Sequence, residues 1–188
     1  MSITAIIVIG IVALTVLIFI GVYNKLVKLR NYRENAFADI DVQLKQRYDL
    51  IPQLVEVVRG YASHEKETLA RVIELRNQAV SATTIDGKIA AENQLSGVLS
   101  GLKVTLEAYP QLKANQNFLQ LQEEMSDIEN KLASVRRFFN SATKEYNNAV
   151  QTFPNNLIAG MFGFSKATMF DLGMDRATYD AAPKISFS

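Results

Sequence analysis

The sequence of 188 residues has no cysteine and no tryptophan, and His64 is its single histidine. Without cysteine there are no disulfide scaffolds, no zinc or iron–sulfur sites with thiolate ligands and no thiol catalysis. One histidine also excludes a di-metal helical bundle that takes a Glu-x-x-His motif from each of two helices. We therefore expect no bound metal and no cofactor.

The charge balance is close to neutral, with 20 Lys and Arg residues against 19 Asp and Glu residues and a net charge of +1. A dedicated nucleic-acid binder carries a clear basic excess, so no nucleic-acid partner is predicted. The sequence shows no glycine-rich phosphate loop and no nucleophile elbow. Neighbouring carboxylates such as Glu123 and Glu124 point apart on a helix. No catalytic residues are identified, and the chain is predicted not to be an enzyme.

Residues 3–23 carry no charge and are almost wholly aliphatic. As a helix they span roughly 30 Å, the thickness of the hydrocarbon core of a bilayer. A cleaved signal peptide is the alternative, but the apolar run is longer than an ordinary signal core, no basic residue precedes it and no A-x-A-like site follows it. The run predicts a single transmembrane helix.

Four cations follow this run directly, namely Lys25, Lys28, Arg30 and Arg33. The positive-inside rule then places the N-terminus outside and residues 24–188 in the cytoplasm. Two interpretations of the cations stay open: contact with anionic lipid at the membrane surface, or a topology signal alone.

The rest of the chain has the apolar spacing of helices, with breakers at Gly60, Gly87, Pro110 and Pro154. An all-α fold is predicted, with the transmembrane helix (3–23) continuing into an elongated antiparallel bundle (24–153) of two long and two shorter helices. Its path is up-down-up-down. Pro52 predicts a kink near residues 48–52. Residues 154–188 are expected to form an apolar and then polar C-terminal segment.

Two long heptad stripes mark the long helices, as in a coiled coil. The first stripe comprises Phe37, Ile40, Leu44, Ile51, Leu54, Val58 and Tyr61, with Arg47 in its one gap. The second comprises Phe118, Leu121, Met125, Ile128, Leu132, Val135, Phe139, Ala142, Tyr146, Ala149 and Phe153.

Arg47 stands on an apolar stripe, where a guanidinium needs a carboxylate or carbonyl to offset its desolvation. Glu129 and Asp127 on the last long helix are the candidate partners. The pair is interpreted either as structural, fixing helix register, or as a switchable contact that faces a partner.

Residues 153–164 are too apolar for a free tail and too few to span a bilayer. They are predicted to contact the membrane surface or a neighbouring subunit, or else to fold back over the open end of the bundle. The candidate interface residues are Leu157, Ile158, Met161, Phe162 and Phe164.

Several motifs together resemble the LemA family of bacterial membrane-anchored proteins. They are QLKQRYDLIPQLVEVVRGYASHEKETL (43–69), EAYPQLKANQNFLQLQEEMSDIENKL (107–132), RRFFN (136–140), EYNNAV (145–150) and FPNNLIAGMFGF (153–164). The resemblance implies one N-terminal transmembrane helix in the bacterial inner membrane and an all-α cytoplasmic domain. It implies no catalytic residue, substrate or cofactor. Its association with membrane proteases points to envelope stress or protein quality control.

The functional hypothesis is a non-catalytic scaffold or adaptor that self-assembles at the inner membrane. Its expected partners are the lipid bilayer, copies of the same chain, and a membrane protease or another envelope protein. Long heptad surfaces, an apolar C-terminal segment and a near-neutral charge favour a homo-oligomer. The alternatives are a protein that binds or remodels the membrane surface and, with less support, an enzyme of unrecognised activity.

Overall fold

A computed structural model of the chain describes residues 2–170, apart from the side chain of Ser63. Most of these residues are helical and none of them is in a β-strand, which confirms the all-α prediction. The elements are α1 (Ile3–Arg59), a 3-10 helix (Ser63–Glu65), α2 (Lys66–Ser81), α3 (Ile85–Leu106), α4 (Pro110–Lys113), α5 (Gln116–Gln151) and α6 (Asn155–Met161). Most of the predicted C-terminal segment, residues 171–188, lies outside the described residues.

The predicted transmembrane segment and the first long helix form one continuous helix, α1. The physical reason is that no glycine or proline stands between Gly21 and Pro52. The apolar end of α1 is exposed, and none of the residues in its most apolar 18-residue window is buried within the protein. Such a surface is compatible with a membrane anchor, because lipid supplies the apolar surroundings that the protein itself does not.

After Tyr48 the buried residues agree with the predicted stripe at Ile51 and Val58 and differ from it at two positions. Val55 and Ala62 are buried, whereas Leu54 is half-buried and Tyr61 is exposed. An α-helix has 3.6 residues per turn, so a strict seven-residue repeat drifts around the helix unless the helix supercoils. At these two positions the next residue along the chain is buried instead, so the predicted burial of Leu54 and Tyr61 was wrong. The helix is continuous across Pro52.

The described residues form two compact units. The first comprises residues 2–38 together with Phe138–Met169, and the second comprises Asp39–Arg137 together with Phe170. Both α1 and α5 contribute residues to each unit.

In the second unit, α1 and α3 run parallel, because Asp41 pairs with Lys88 and Arg47 pairs with Glu92 further along both helices. α2 runs against α1, since the chain reverses after Arg59 and the guanidinium of Arg76 reaches the carbonyl of Tyr48. 

The first part of α5 also runs against α1. Arg47 lies near Glu129, whereas Tyr61, two residues after the end of α1, accepts a hydrogen bond from Asn115, the residue before α5. The directions therefore alternate along the chain as predicted for a four-helix bundle.

Gly87, which was predicted to be a helix breaker, lies inside the first turn of α3. The Thr84 side chain accepts a hydrogen bond from the Gly87 backbone N–H at 3.1 Å, which caps the helix so that it begins at Ile85. A Cβ atom on residue 87 would stand 2.8 Å from the Thr84 hydroxyl, so glycine permits this close cap. Gly87 therefore supports the first turn of α3 instead of preceding the helix.

In the first unit, α1 and α5 run antiparallel. Phe37 packs edge-on against Phe139, while Leu26 clusters with Ala149 and Val150. Helix α5 ends at Gln151, because proline at 154 lacks a backbone donor and disfavours helical geometry in the residue before it. 

Phe153 was predicted as the last buried residue of the second stripe, and that prediction was wrong. Its side chain lies beyond the end of α5 and is 79% exposed.

The core position that the second stripe predicts for Leu132 can be tested, because this side chain is buried in the second unit with 1% exposure. Leu132→Ala should lower the free energy of unfolding by about 2–5 kcal/mol, because it leaves a cavity that the helices fill only in part. Val80→Ala removes two methyl groups from a half-exposed position and should change the free energy of unfolding by less than about 0.5 kcal/mol. Urea unfolding of the full chain in mild detergent, followed by circular dichroism, measures both. Equal effects of the two substitutions would contradict the core position of Leu132.

Candidate functional site

The four cations that follow the apolar run occupy different environments. Lys25 and Lys28 are exposed. Arg30 is also exposed, and its guanidinium carbon lies 5.3 Å from the centre of the Phe164 ring. Arg33 is buried.

Arg33 serves the interior of the first unit. Its Nη2 donates to the backbone carbonyl of Thr168 at 3.2 Å, and its guanidinium carbon lies 5.0 Å from the centre of the Phe139 ring. The carbonyl and the aromatic face both compensate the guanidinium for lost water. The sequence around Arg33 does not distinguish it from the three exposed cations before it, so its burial could not be predicted.

The C-terminal segment folds back onto α1 and α5 in the first unit. Ile158 and Phe164 are buried in a cluster with Leu26 and Ala149. Of the alternatives predicted for residues 153–164, the structure shows packing within the protein for this inner face.

Asn147 holds the segment after α6 in place through two hydrogen bonds to the backbone of Ala167. Its side-chain amide donates to the Ala167 carbonyl at 2.9 Å and accepts from the Ala167 backbone N–H at 2.8 Å. Gly163 has φ = +70°, a left-handed conformation that favours glycine and turns the chain after α6. Phe164 then points back into the cluster. The role of Asn147 was missed, since an asparagine on a helix carries no sign of a distant backbone partner.

The other face of the segment is apolar and exposed. We define the α6 patch as the side chains of Phe153, Leu157, Met161 and Phe162. Met161 is 72% exposed, and Phe162 is half exposed. The five predicted interface residues therefore divide: Ile158 and Phe164 pack inward, and the other three point outward.

The α6 patch adjoins the end of the apolar run of α1. The ring centre of Phe162 lies 5.7 Å from that of Phe19 and 4.9 Å from that of Tyr23, both edge-on. Because Phe19 and Tyr23 belong to the uncharged residues 3–23, the patch lies beside the last turns of the candidate membrane anchor.

A second candidate site is a buried charge cluster in the second unit. Arg47 Nη1 lies 3.0 Å from Glu92 Oε2, and Arg136 Nη2 lies 3.4 Å from the same oxygen. Arg47 Nη1 also donates to the Ser96 hydroxyl at 3.0 Å. The predicted partner Glu129 is more distant, with Oε1 3.6 Å from Arg47 Nη2.

Glu92 was missed, although the sequence contains a signal for it. It stands at a heptad position of the α3 stripe, whose other members are Leu95, Leu99, Leu102 and Leu106. The same observation, a charge on an apolar stripe, singled out Arg47. Asp127, the other predicted partner of Arg47, is exposed.

Burial shifts the ionisation of the residues around this cluster. Desolvation raises the pKa of Tyr48 above its ordinary value, and the negative charge of Glu92 raises it further. Desolvation lowers the pKa of Arg136, an effect that Glu92 opposes and Arg47 reinforces. The cluster therefore joins α1, α3 and α5 through charges that depend on one another.

The part of the chain that the structure describes contains no group of three or more histidine or acidic side chains placed to hold a metal ion. The buried carboxylate of Glu92 forms ion pairs with Arg47 and Arg136. What the described sites offer is an apolar patch beside a candidate anchor and a buried charge cluster.

Comparisons with known proteins agree on one family. The sequence pattern of the LemA family matches residues 36–187. The chain is 26% identical over 155 residues to Protein LemA of Metamycoplasma hominis, covering 81% of this chain and 70% of that protein.

Two further relatives are magnetosome proteins. The chain is 22% identical over 174 residues to Magnetosome protein MamQ of Magnetospirillum gryphiswaldense and 21% identical to MamQ 2 of Paramagnetospirillum magneticum. Each alignment covers 79% of this chain and 64% of the relative, so the chain spans less than two thirds of either MamQ protein.

The charge cluster predicts unequal effects from removing its two carboxylates. Glu92 is fully buried, so Glu92→Gln leaves two arginines without their shared counter-charge and should lower the free energy of unfolding by about 3–5 kcal/mol. Glu129 is 52% exposed, so Glu129→Gln should lower it by less than about 1 kcal/mol. Urea unfolding of both variants decides the matter. A larger effect at Glu129 would show that Glu92 is not the main counter-ion.

Proposed function

This chain belongs to the LemA family, and we propose that it is a non-catalytic scaffold or adaptor that is anchored in the bacterial inner membrane and assembles there with copies of itself. The observation that carries the proposal is the exposed α6 patch beside the apolar end of α1. A membrane protease or another envelope protein is the proposed further partner, through a link to envelope stress or protein quality control.

The membrane anchor favours assembly through this patch. Apolar surface of this kind is stabilised by a partner that covers it. Copies anchored in one membrane share an orientation and a height, so each presents its patch at the same level, and their confinement raises the effective concentration. A net charge of +1 adds little repulsion between copies.

The proposed topology places the N-terminus outside and residues 24–188 in the cytoplasm. Lys25, Lys28 and Arg30 are exposed directly after the apolar run, where the positive-inside rule expects cytoplasmic cations. These three are also the residues available to meet anionic lipid, since Arg33 binds within the protein.

A non-catalytic role is supported by how the buried charges are used. Arg47 and Glu92, the pair that most resembles a site, bind each other. The names of the relatives specify no reaction.

A second candidate function, binding of the membrane surface, is favoured by the contact of Phe162 with Phe19. A ring that touches the last turns of a membrane-spanning helix lies where lipid is present, and exposed aromatic and apolar side chains partition into that boundary. In this case lipid, instead of a second copy, covers the α6 patch.

Substitution of the patch tests self-assembly. Leu157→Ser together with Met161→Ser alters only exposed side chains, so helicity should be retained while the assembly dissociates to a smaller species. The control is Val42→Ser together with Val104→Ser, which alters two exposed apolar residues of the second unit. Light scattering of the full chain in mild detergent, with the detergent mass subtracted, gives the mass of each. A monomeric unsubstituted protein would refute self-assembly, and a patch variant of unchanged mass would place the interface elsewhere.

The absence of tryptophan permits a direct test of lipid contact. Met161→Trp places one fluorophore on the patch, and Phe138→Trp places one on an exposed site whose neighbour Tyr32 lies about 14 Å along α1 from Tyr23. If lipid covers the patch, brominated lipids in nanodiscs should quench residue 161 strongly and residue 138 weakly. Weak quenching at both positions would contradict lipid binding by the α6 patch.

A further inference from the structure

The buried charge cluster borders a cationic cavity of about 260 Å³ in the second unit. Four cations line it: Arg47, Lys103, Arg136 and Arg137. Two carboxylates offset part of this positive charge. Glu92 pairs with Arg47, and Glu129 lines the cavity. Lys103 and Arg137 form no ion pair with any described residue, so the cavity keeps an excess of two positive charges.

The two arginines that pair with Glu92 have more donors than acceptors, and the side chain of Arg136 is 19% exposed. The side chain of Arg47 is 4% exposed, and its Nη1 serves Glu92 and Ser96. Its Nε is buried without a hydrogen-bond acceptor among the described residues, and the same holds for Arg136 Nε. Buried charged donors that lack acceptors cost free energy, and an anion at this wall would supply the acceptor oxygens.

Two hydroxyls complete the wall. Ser96 and Ser100 are four residues apart on α3, on one face of the helix, and both line the cavity. Guanidinium, ammonium and hydroxyl donors around one small space match the oxygens of a phosphate.

We propose that this cavity binds a phosphate group. Arg47 and Arg136 contact it from the buried side, held in place by Glu92, and Lys103 and Arg137 contact it from the exposed side. Glu92 acts as a positioning residue, because it fixes the arginines without touching the phosphate.

The phosphate belongs either to a small soluble molecule or to a lipid headgroup. A larger cavity of about 660 Å³ shares Leu99, Lys103 and Glu129 with the cationic one. Its wall includes Leu102, Leu106, Phe118, Leu119 and Met125. Glu107, Glu123 and Asp127 also line this cavity, and its volume has room for short acyl chains, such as two hexanoyl chains, of a lipid whose headgroup occupies the cationic cavity.

Calorimetry on the full chain in a maltoside detergent tests the proposal with three probes: inorganic phosphate, glycerol phosphate and dihexanoyl phosphatidic acid. Lys103→Gln together with Arg137→Gln removes the exposed cations and leaves the buried cluster intact. The affinity for all three probes should fall about tenfold or more. Lys45→Gln together with Lys66→Gln makes the same change in net charge at exposed sites away from the cavity, and should leave the affinity unchanged.

The outcomes separate clearly. Absence of binding by all three probes at matched ionic strength overturns the proposal, as does equal weakening in the two double variants, which would mean general charge attraction. A lipid source is shown if phosphatidic acid binds more tightly than glycerol phosphate and Leu119→Ser weakens only the former. Equal affinities for those two probes would support the site and assign it to a soluble phosphate.

Discussion

The uncharged run at the N-terminal end of α1, residues 3–23, is the central physical constraint on this protein. Most of its side chains are exposed in the described structure, and only its last turns contact other parts of the protein, through Phe19 and Tyr23 against Phe162. A bilayer would supply the apolar surroundings that the protein itself does not. The same helix continues to Arg59 without a break, so it contributes residues to the packing inside each compact unit. Within the first unit, α5 and the C-terminal segment pack on the part of α1 around Leu26, directly after the apolar run.

Two polar arrangements fix the packing around α1, each within one unit. In the first unit, Arg33 and Asn147 hold the backbone that follows α6, and this leaves the inner face of that helix buried and its outer face exposed. In the second unit, Glu92 holds Arg47 and Arg136. Buried ion pairs add little net stability compared with apolar packing, but a misplaced register would bury their charges unpaired at high cost. Their effect is to favour one alignment of the helices over its neighbours.

Much of the fold could be predicted from the sequence, and the candidate sites only in part. The stripe from Phe118 to Tyr146 predicted the buried face of α5, because apolar spacing reports directly on which side of a helix is covered. Arg47 could be identified as a buried charge by its place on such a stripe, and Glu92 carried the same signal on α3. Arg33 and Asn147 could not be identified, because each binds a backbone group that is distant in sequence. The apolar composition located the segment 153–164 but could not divide its residues between an inner and an outer face.

The sequence by itself determined the helical class, the uncharged membrane-length run and the positions of the main breaks. These are local properties, set by the spacing of apolar residues, by proline geometry and by the absence of charge over a continuous stretch. Only the tertiary structure decided that Arg33 is buried, that Glu92 is the main counter-ion of Arg47, and that Phe162 is exposed beside Phe19 while Phe164 is covered. Burial and charge pairing depend on which segments meet in space, and the apolar repeat of one helix does not specify which other helix will pack against it.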